Sequence, residues 1–179
     1  LLINSLLMST FSIVAVDTNT GEVGSAGGSC IAGSIIISDI HPGVGAIHTQ
    51  AYYLPANQNY AASLMDQGYS PNEIIQLLEE NDIQNNPSIR QYGIADLYSG
   101  IYYGMLYEEE CLEIEGAVWS GDANSGELGE CSDPTISRSA SFTGNNCSDW
   151  KGHINGLNYA IQANILLSED ILLGIEEGF

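Results

Sequence analysis

Thr10 is the first residue of the chain whose chemistry raises a question. The apolar segment LLINSLLMS (1–9) ends on the small residue Ser9, and Thr10 then opens a β-branched run, TFSIVAVD. Cleavage at that junction would uncover a nucleophile; without it, Thr10 is an ordinary strand residue. Ser29-Cys30 follows in a glycine-rich stretch, and Cys30 with His48 or His153 would form a nucleophile–base couple. His41, His48 and His153 show neither H-x-H nor H-x-x-x-H spacing, so no metal site is expected from them. Two D-x-N-x-G runs, DTNTG (17–21) and DANSG (122–126), begin like calcium loops, but Gly28 and Asp133 stand where the twelfth-position glutamate belongs. They read as Asx-type turns. Calcium is the one ion they hint at, and no cofactor is expected. Asn146-Cys147-Ser148 has the form of an N-glycosylation sequon.

Charge excludes whole classes of partner. The 179 residues hold 3 basic and 23 acidic side chains, a formal net charge of −20. Such a surface repels phosphate backbones and anionic lipid, so nucleic acid is not an expected partner. The nine leading residues are too few to span a bilayer and read as the tail of a leader segment or an apolar arm. An exported, extracellular protein is the corresponding expectation. The four cysteines contain no C-x-x-C pair, which removes zinc-ribbon and thioredoxin-like readings. In an exported chain they suggest two disulfides, Cys111–Cys131 as a local staple and Cys30–Cys147 as a long-range one.

The elements that must position these groups alternate between strands and helices. Strands are expected at 10–17, along VGSAGGS (23–29), at 43–52 and at 158–167. Two helices follow the third strand, one over about 57–67 ending at Gly68, the other opening with the capping box Ser70-Pro71-Asn72-Glu73. RQYGIADL (90–97) and IYYGML (101–106) read as a hairpin, with further strands near 112–119 and 136–143. A last helix begins after Ser168. One α+β domain over 10–179, preceded by the arm 1–9, is the expected organisation.

Five motifs in order, TFSIVA-D-xxTGE-G, GVGAIHTQA, RQYGIAD, FTGNNCxxWKGH and YAIQANIL, resemble a bacterial domain-of-unknown-function family described as N-terminal-nucleophile (Ntn) hydrolase-like. The similarity runs from about Thr10 to about Gly174. It implies a four-layer αββα sandwich and no established activity. It also places Thr10 where an Ntn nucleophile sits, with its own α-amine as general base. Three departures stand out: family members continue past the last helix where this sequence stops at Phe179, Ala163-Asn164 replaces a Gly-Asn pair, and residues 108–135 look inserted. Arg90, Gln91, Gln162 and Asn164 all fall in the shared motifs, and Arg90, Gln162 and Asn164 are the expected binding cleft.

With an amide nitrogen at Thr10 and a single lysine, Lys151, far along the chain, the sequence favours a non-catalytic, disulfide-stabilised, exported domain. It would self-assemble into oligomers or filaments through residues 1–9. Two alternatives stay open. One is an exported amidohydrolase that uses Thr10 after processing; the other is a carbohydrate- or peptide-binding module built on Tyr52, Tyr53, Tyr102 and Tyr103.

Overall fold

Strand β1 (Thr10–Asp17) sets the plan of the molecule. Thr10, Ser12, Val14 and Val16 are buried on one face, and Phe11 and Ile13 lie partly buried on the other, as a period of two dictates. An Asx turn, with Asn19 N–H donating to Asp17 Oδ1 at 2.8 Å, leads into β2 (Glu22–Ser29). On the other side β1 pairs with β11 (Tyr159–Asn164), which pairs in turn with β10 (Gly152–Asn155). The computed structural model describes residues 9–98, 104–114, 117–122, 125–133 and 137–179.

A second antiparallel sheet has the order β3 (Ser38–His41), β4 (Gly45–Gln50), β5 (Gln91–Asp96), β9 (Ser139–Thr143). Its inner face meets the first sheet through small side chains: Val14, Val16 and Ala160 pack on Ala46, Ala95 and Leu97. Its outer face carries helices α1 (Pro55–Asp66) and α2 (Pro71–Glu80), whose Ala61, Leu64, Met65, Ile74 and Leu78 close over Ile47, Tyr92 and Ile94. The Ser70/Glu73 capping box opens α2 in both directions, with Ser70 N–H to Glu73 Oε2 at 2.8 Å and Glu73 N–H to Ser70 Oγ at 3.3 Å. Helix α4 (Asp170–Gly178) places Leu172 on Ile161 and Ala163 of the other sheet and on Leu166 just past β11. The fold is α+β. Among the described residues no helix is long and apolar enough to cross a membrane.

Several expectations are corrected by this arrangement. The 90–97/101–106 hairpin is not seen among the described residues, which leave out 99–103: β5 pairs with β4 and β9, while β6 (Gly104–Leu106) pairs with β8 (Gly129–Ser132), which also pairs with β7 (Val118–Ser120), in a separate small sheet. The buried inner position of β5 draws it to long-range partners that a local turn rule does not see. Of the strand expected near 112–119, Val118–Ser120 forms β7 and Leu112 ends helix α3 (Glu108–Leu112), whose Cys111 is joined to Cys131 in a disulfide. Closing a loop of separation 20 contributes roughly 3 kcal/mol through the unfolded chain. Cys30 and Cys147 are not paired: Cys30 is an exposed free thiol, whereas Cys147 is buried and donates to the Arg90 carbonyl at 3.2 Å. Burial pushes the Cys147 thiol pKa up. The proposed arm lies outside the described residues except for Ser9, as do Tyr102 and Tyr103.

Gly93 makes the closest approach of the two sheets possible. A Cβ there would lie 1.7 Å from Gln162 Oε1, and Gln162 is fully buried and hydrogen-bonded in place. Gly93→Ala is therefore expected to lower stability by about 2–3 kcal/mol. A urea midpoint unchanged from the parent would refute this packing.

Candidate functional site

One end of the space between the sheets is polar. Thr10 pairs with Ser29 on β2 and with Asn164 on β11, so three polar side chains stand abreast on one face. Thr10 Oγ1 and Ser29 Oγ share a hydrogen bond of 2.8 Å. With Gln50, at the end of β4 in the facing sheet, they floor a cavity of about 270 Å³. Cys30, Ile31, Ile37, Tyr52, Tyr53 and Ile165 wall it, and none of the described side chains that line it is charged.

The rim of this cavity is strained. Ala51, Tyr52 and Ile165 have φ of 50°, 41° and 58°. That left-handed region costs a non-glycine residue on the order of 1–3 kcal/mol, and surrounding structure must enforce it. Arg90 does so at Tyr52. Its Nη1 donates to the Tyr52 carbonyl, its Nε to Asp82 Oδ2 at 2.9 Å and its Nη2 to Gln84 Oε1 at 2.7 Å. Burial alone would raise the Asp82 carboxyl pKa. Hydrogen bonds from Arg90, Asn57 and the backbone N–H groups of Asn86 and Gln84 outweigh it and hold the pKa down to about 2. Ile165 is fixed by its N–H to Ser148 O at 3.3 Å, beside two backbone hydrogen bonds between Trp150 and Leu166.

Behind the floor runs a chain of carboxamides whose direction is dictated. Gln91 Nε2 donates to the backbone carbonyls of Gly152 and Ala163 at 3.1 and 2.9 Å, and a carbonyl only accepts. Gln91 Oε1 must then receive Gln50 Nε2 at 2.6 Å and Asn164 Nδ2 at 2.9 Å. Gln50 Oε1 accepts from Ser12 Oγ at 2.8 Å, so Ser12, its one proton committed, accepts from Gln162 Nε2 at 2.5 Å. The same Gln162 nitrogen donates to His48 Nδ1 at 3.3 Å. Neutral His48 therefore carries its proton on Nε2. Burial pushes its pKa down to about 4.

Larger hollows occur beside Phe179, about 400 Å³, and beside Trp119, about 310 Å³. The Thr10 cleft is the one where buried polar groups and enforced backbone strain converge, which marks a functional site better than volume does.

A model of a family of unknown function, DUF1028, matches residues 10–129 and 133–179. The chain belongs to the DUF1028 family. Its fold resembles the crystal structure of protein SPO2555 from Silicibacter pomeroyi, a family-model DUF1028 structure, with a TM-score of 0.66 at 18% identity. That similarity covers 94% of this chain and 60% of the other, so the chain spans about three fifths of its neighbour's length. No curated protein matches it.

Within this DUF1028 fold the residues expected to share a cleft are separated by depth. Thr10 and Asn164 line the cavity; Gln162 lies deeper between the sheets, and Arg90 stands behind the Tyr52 turn, paired with Asp82. Cys30 sits on the cavity wall; His48 is bonded through Nδ1 to Gln162 and His153 through Nδ1 to Thr143 Oγ1 at 2.9 Å, and among the described residues neither histidine makes a hydrogen bond to Cys30. Among the described residues no group of three or more His, Cys, Asp or Glu side chains gathers as a metal site. Sequence reading missed Ser12, Ser29 and Gln50 as members. The signal was present: Thr10 and Ser12 share strand parity with Val14 and Val16, and Gln50 with His48 and Ala46.

Two measurements check this geometry. Arg90→Met leaves the Asp82 carboxylate buried without its cation and should cost about 3–5 kcal/mol, read by chemical unfolding; a loss below about 1 kcal/mol would contradict it. A histidine whose folded pKa is depressed binds fewer protons folded than unfolded, so His48 lowers stability as pH falls from 6.5 towards about 4. Side-chain nitrogen NMR should show the Nε2–H tautomer throughout pH 5–8, and a protonated or Nδ1–H ring there would refute it.

Proposed function

We propose that this chain is an Ntn-type amide hydrolase domain with a four-layer αββα sandwich, and that Thr10 is its nucleophile once the Ser9–Thr10 bond is cut. The single observation that carries the reading is the convergence at Thr10. It heads β1 and floors a cleft with Ser29, Gln50 and Asn164, under a rim of three left-handed non-glycine residues. That choice departs from the non-catalytic expectation, because a scaffold without chemistry has no need of enforced strain at one cavity mouth. The family match begins at the same residue.

The chemistry is that of a self-contained acid–base pair. A freed α-amine, with a pKa near 8, takes the proton of Thr10 Oγ1 as that oxygen bonds to the substrate carbonyl carbon. The ammonium returns the proton to the departing nitrogen as the C–N bond breaks, leaving an ester on Thr10. Water, deprotonated by the same amine, adds to the ester, and release of the acid restores the hydroxyl. Ser29 Oγ, 2.8 Å from Thr10 Oγ1, orients the nucleophile. An uncharged lining with Ile31 and Tyr52 exposed at the mouth suits a neutral, apolar or aromatic acyl group.

A protein whose first residue is Thr10, produced by a protease that leaves no scar, should hydrolyse members of a neutral amide panel and accept a β-lactone as a covalent adduct on Thr10. Thr10→Ala, or retention of Ser9, should lower turnover at least about a thousand-fold with an unchanged circular dichroism spectrum. A correctly folded Thr10-initiated protein showing neither turnover nor adduct would overturn the proposal.

A further inference from the structure

A second cavity, of about 140 Å³, lies between the two edge strands β2 and β3 and is separated from the Thr10 cleft by Ile37. His48 lines it, with Ser25, Ser34, Ser38 and Gly27. His48 is 1% exposed, and its Nε2 has no hydrogen-bond partner among the described residues. A buried polar nitrogen left alone costs free energy, so the group it faces has chemical meaning.

The carboxamide chain decides what that group must be. Because Gln162 donates to Nδ1, His48 offers the cavity a proton on Nε2 and no lone pair. A metal ion is thereby excluded at this nitrogen, since coordination requires the lone pair. The partner must present an acceptor. Among the described residues no cation lines the cavity, and the imidazole is neutral, so an anion would be desolvated there without compensation, in a chain of net charge −20. Ser25 and Ser38 share one hydrogen bond of 2.6 Å, which leaves hydroxyl lone pairs free to receive a donor. The volume exceeds the roughly 30 Å³ share of one water several-fold.

We infer that this cavity binds a small uncharged molecule bearing a primary carboxamide. Its carbonyl oxygen accepts from His48 Nε2–H, and its amide N–H groups donate to the serine hydroxyls. Ser25, Ala26 and Gly27 are exposed on β2, so the cavity is entered from that edge. The site is independent of whether Thr10 is ever released.

Acetamide is the probe. Titrated into the labelled full chain, it should produce a saturable shift of the His48 Nε2–H resonance in the millimolar range, the affinity open to a ligand of this size. Isosteric acetate should bind at least about tenfold more weakly. Ser38→Ala, at a half-buried edge position, should weaken acetamide several-fold while the protein stays folded, and His48→Phe should abolish the saturable acetamide shift of the Ser25 and Gly27 backbone amide resonances. Three results would each overturn the inference: no saturable shift, which would mean that the cavity holds water only; acetate binding as tightly as acetamide; or zinc binding at His48.

Discussion

The carboxamide of Gln91 is the constraint from which the interior of this protein is ordered. Held by two backbone carbonyls of the opposite sheet, it cannot be turned around, and each neighbour inherits its orientation in sequence. Gln50, Ser12 and Gln162 follow as donors and acceptors in one direction only, and His48 receives its tautomer at the end of the row. Inside a medium of low dielectric such a chain is worth more than its separate bonds, and one reversed amide would leave several buried groups unpaired. The two sheets are thus registered by polarity at one end and by small apolar side chains at the other.

A different device shapes the cleft. The ion pair of Arg90 and Asp82 is almost wholly buried, and pairs of this kind contribute little net stability against an apolar alternative. What this one contributes is position. The guanidinium binds the carbonyl of a residue whose backbone would otherwise relax out of the left-handed region, and so transfers the rigidity of β5 to the cavity rim. Cys147, donating to the Arg90 carbonyl, fastens the same corner from behind.

Much of the fold was legible in the sequence because its strongest local signals coincide with its tertiary demands. The alternation of TFSIVAVD, the Ser70/Glu73 box with proline at the first helical position, and the apolar stripe of α2 each specify an element without help. The short edge strands β3 and β10 lack that redundancy, with four residues each, and their pairing depends on partners distant in sequence. IYYGML carries a strand signal in its sequence, but the partner of its described residues, Gly104–Leu106, is chosen by the disulfide-anchored sheet rather than by the nearest turn. Of the site, Thr10 and Asn164 could be named from motifs. The separation of Arg90 from the cleft could not, because sequence records a residue's type and parity but not its depth.

Enclosing Arg90 also changes what the solvent meets. It removes one of only three cations in the chain from the outside and leaves Arg138 and Lys151 to stand against a large excess of carboxylates. Their mutual repulsion reaches across the whole body in dilute buffer, where the screening length is about 30 Å, and only to near neighbours at 0.1 M salt, where it is about 10 Å. Counterions are in that sense a component of the native structure: they hold together from without what the buried guanidinium organises from within.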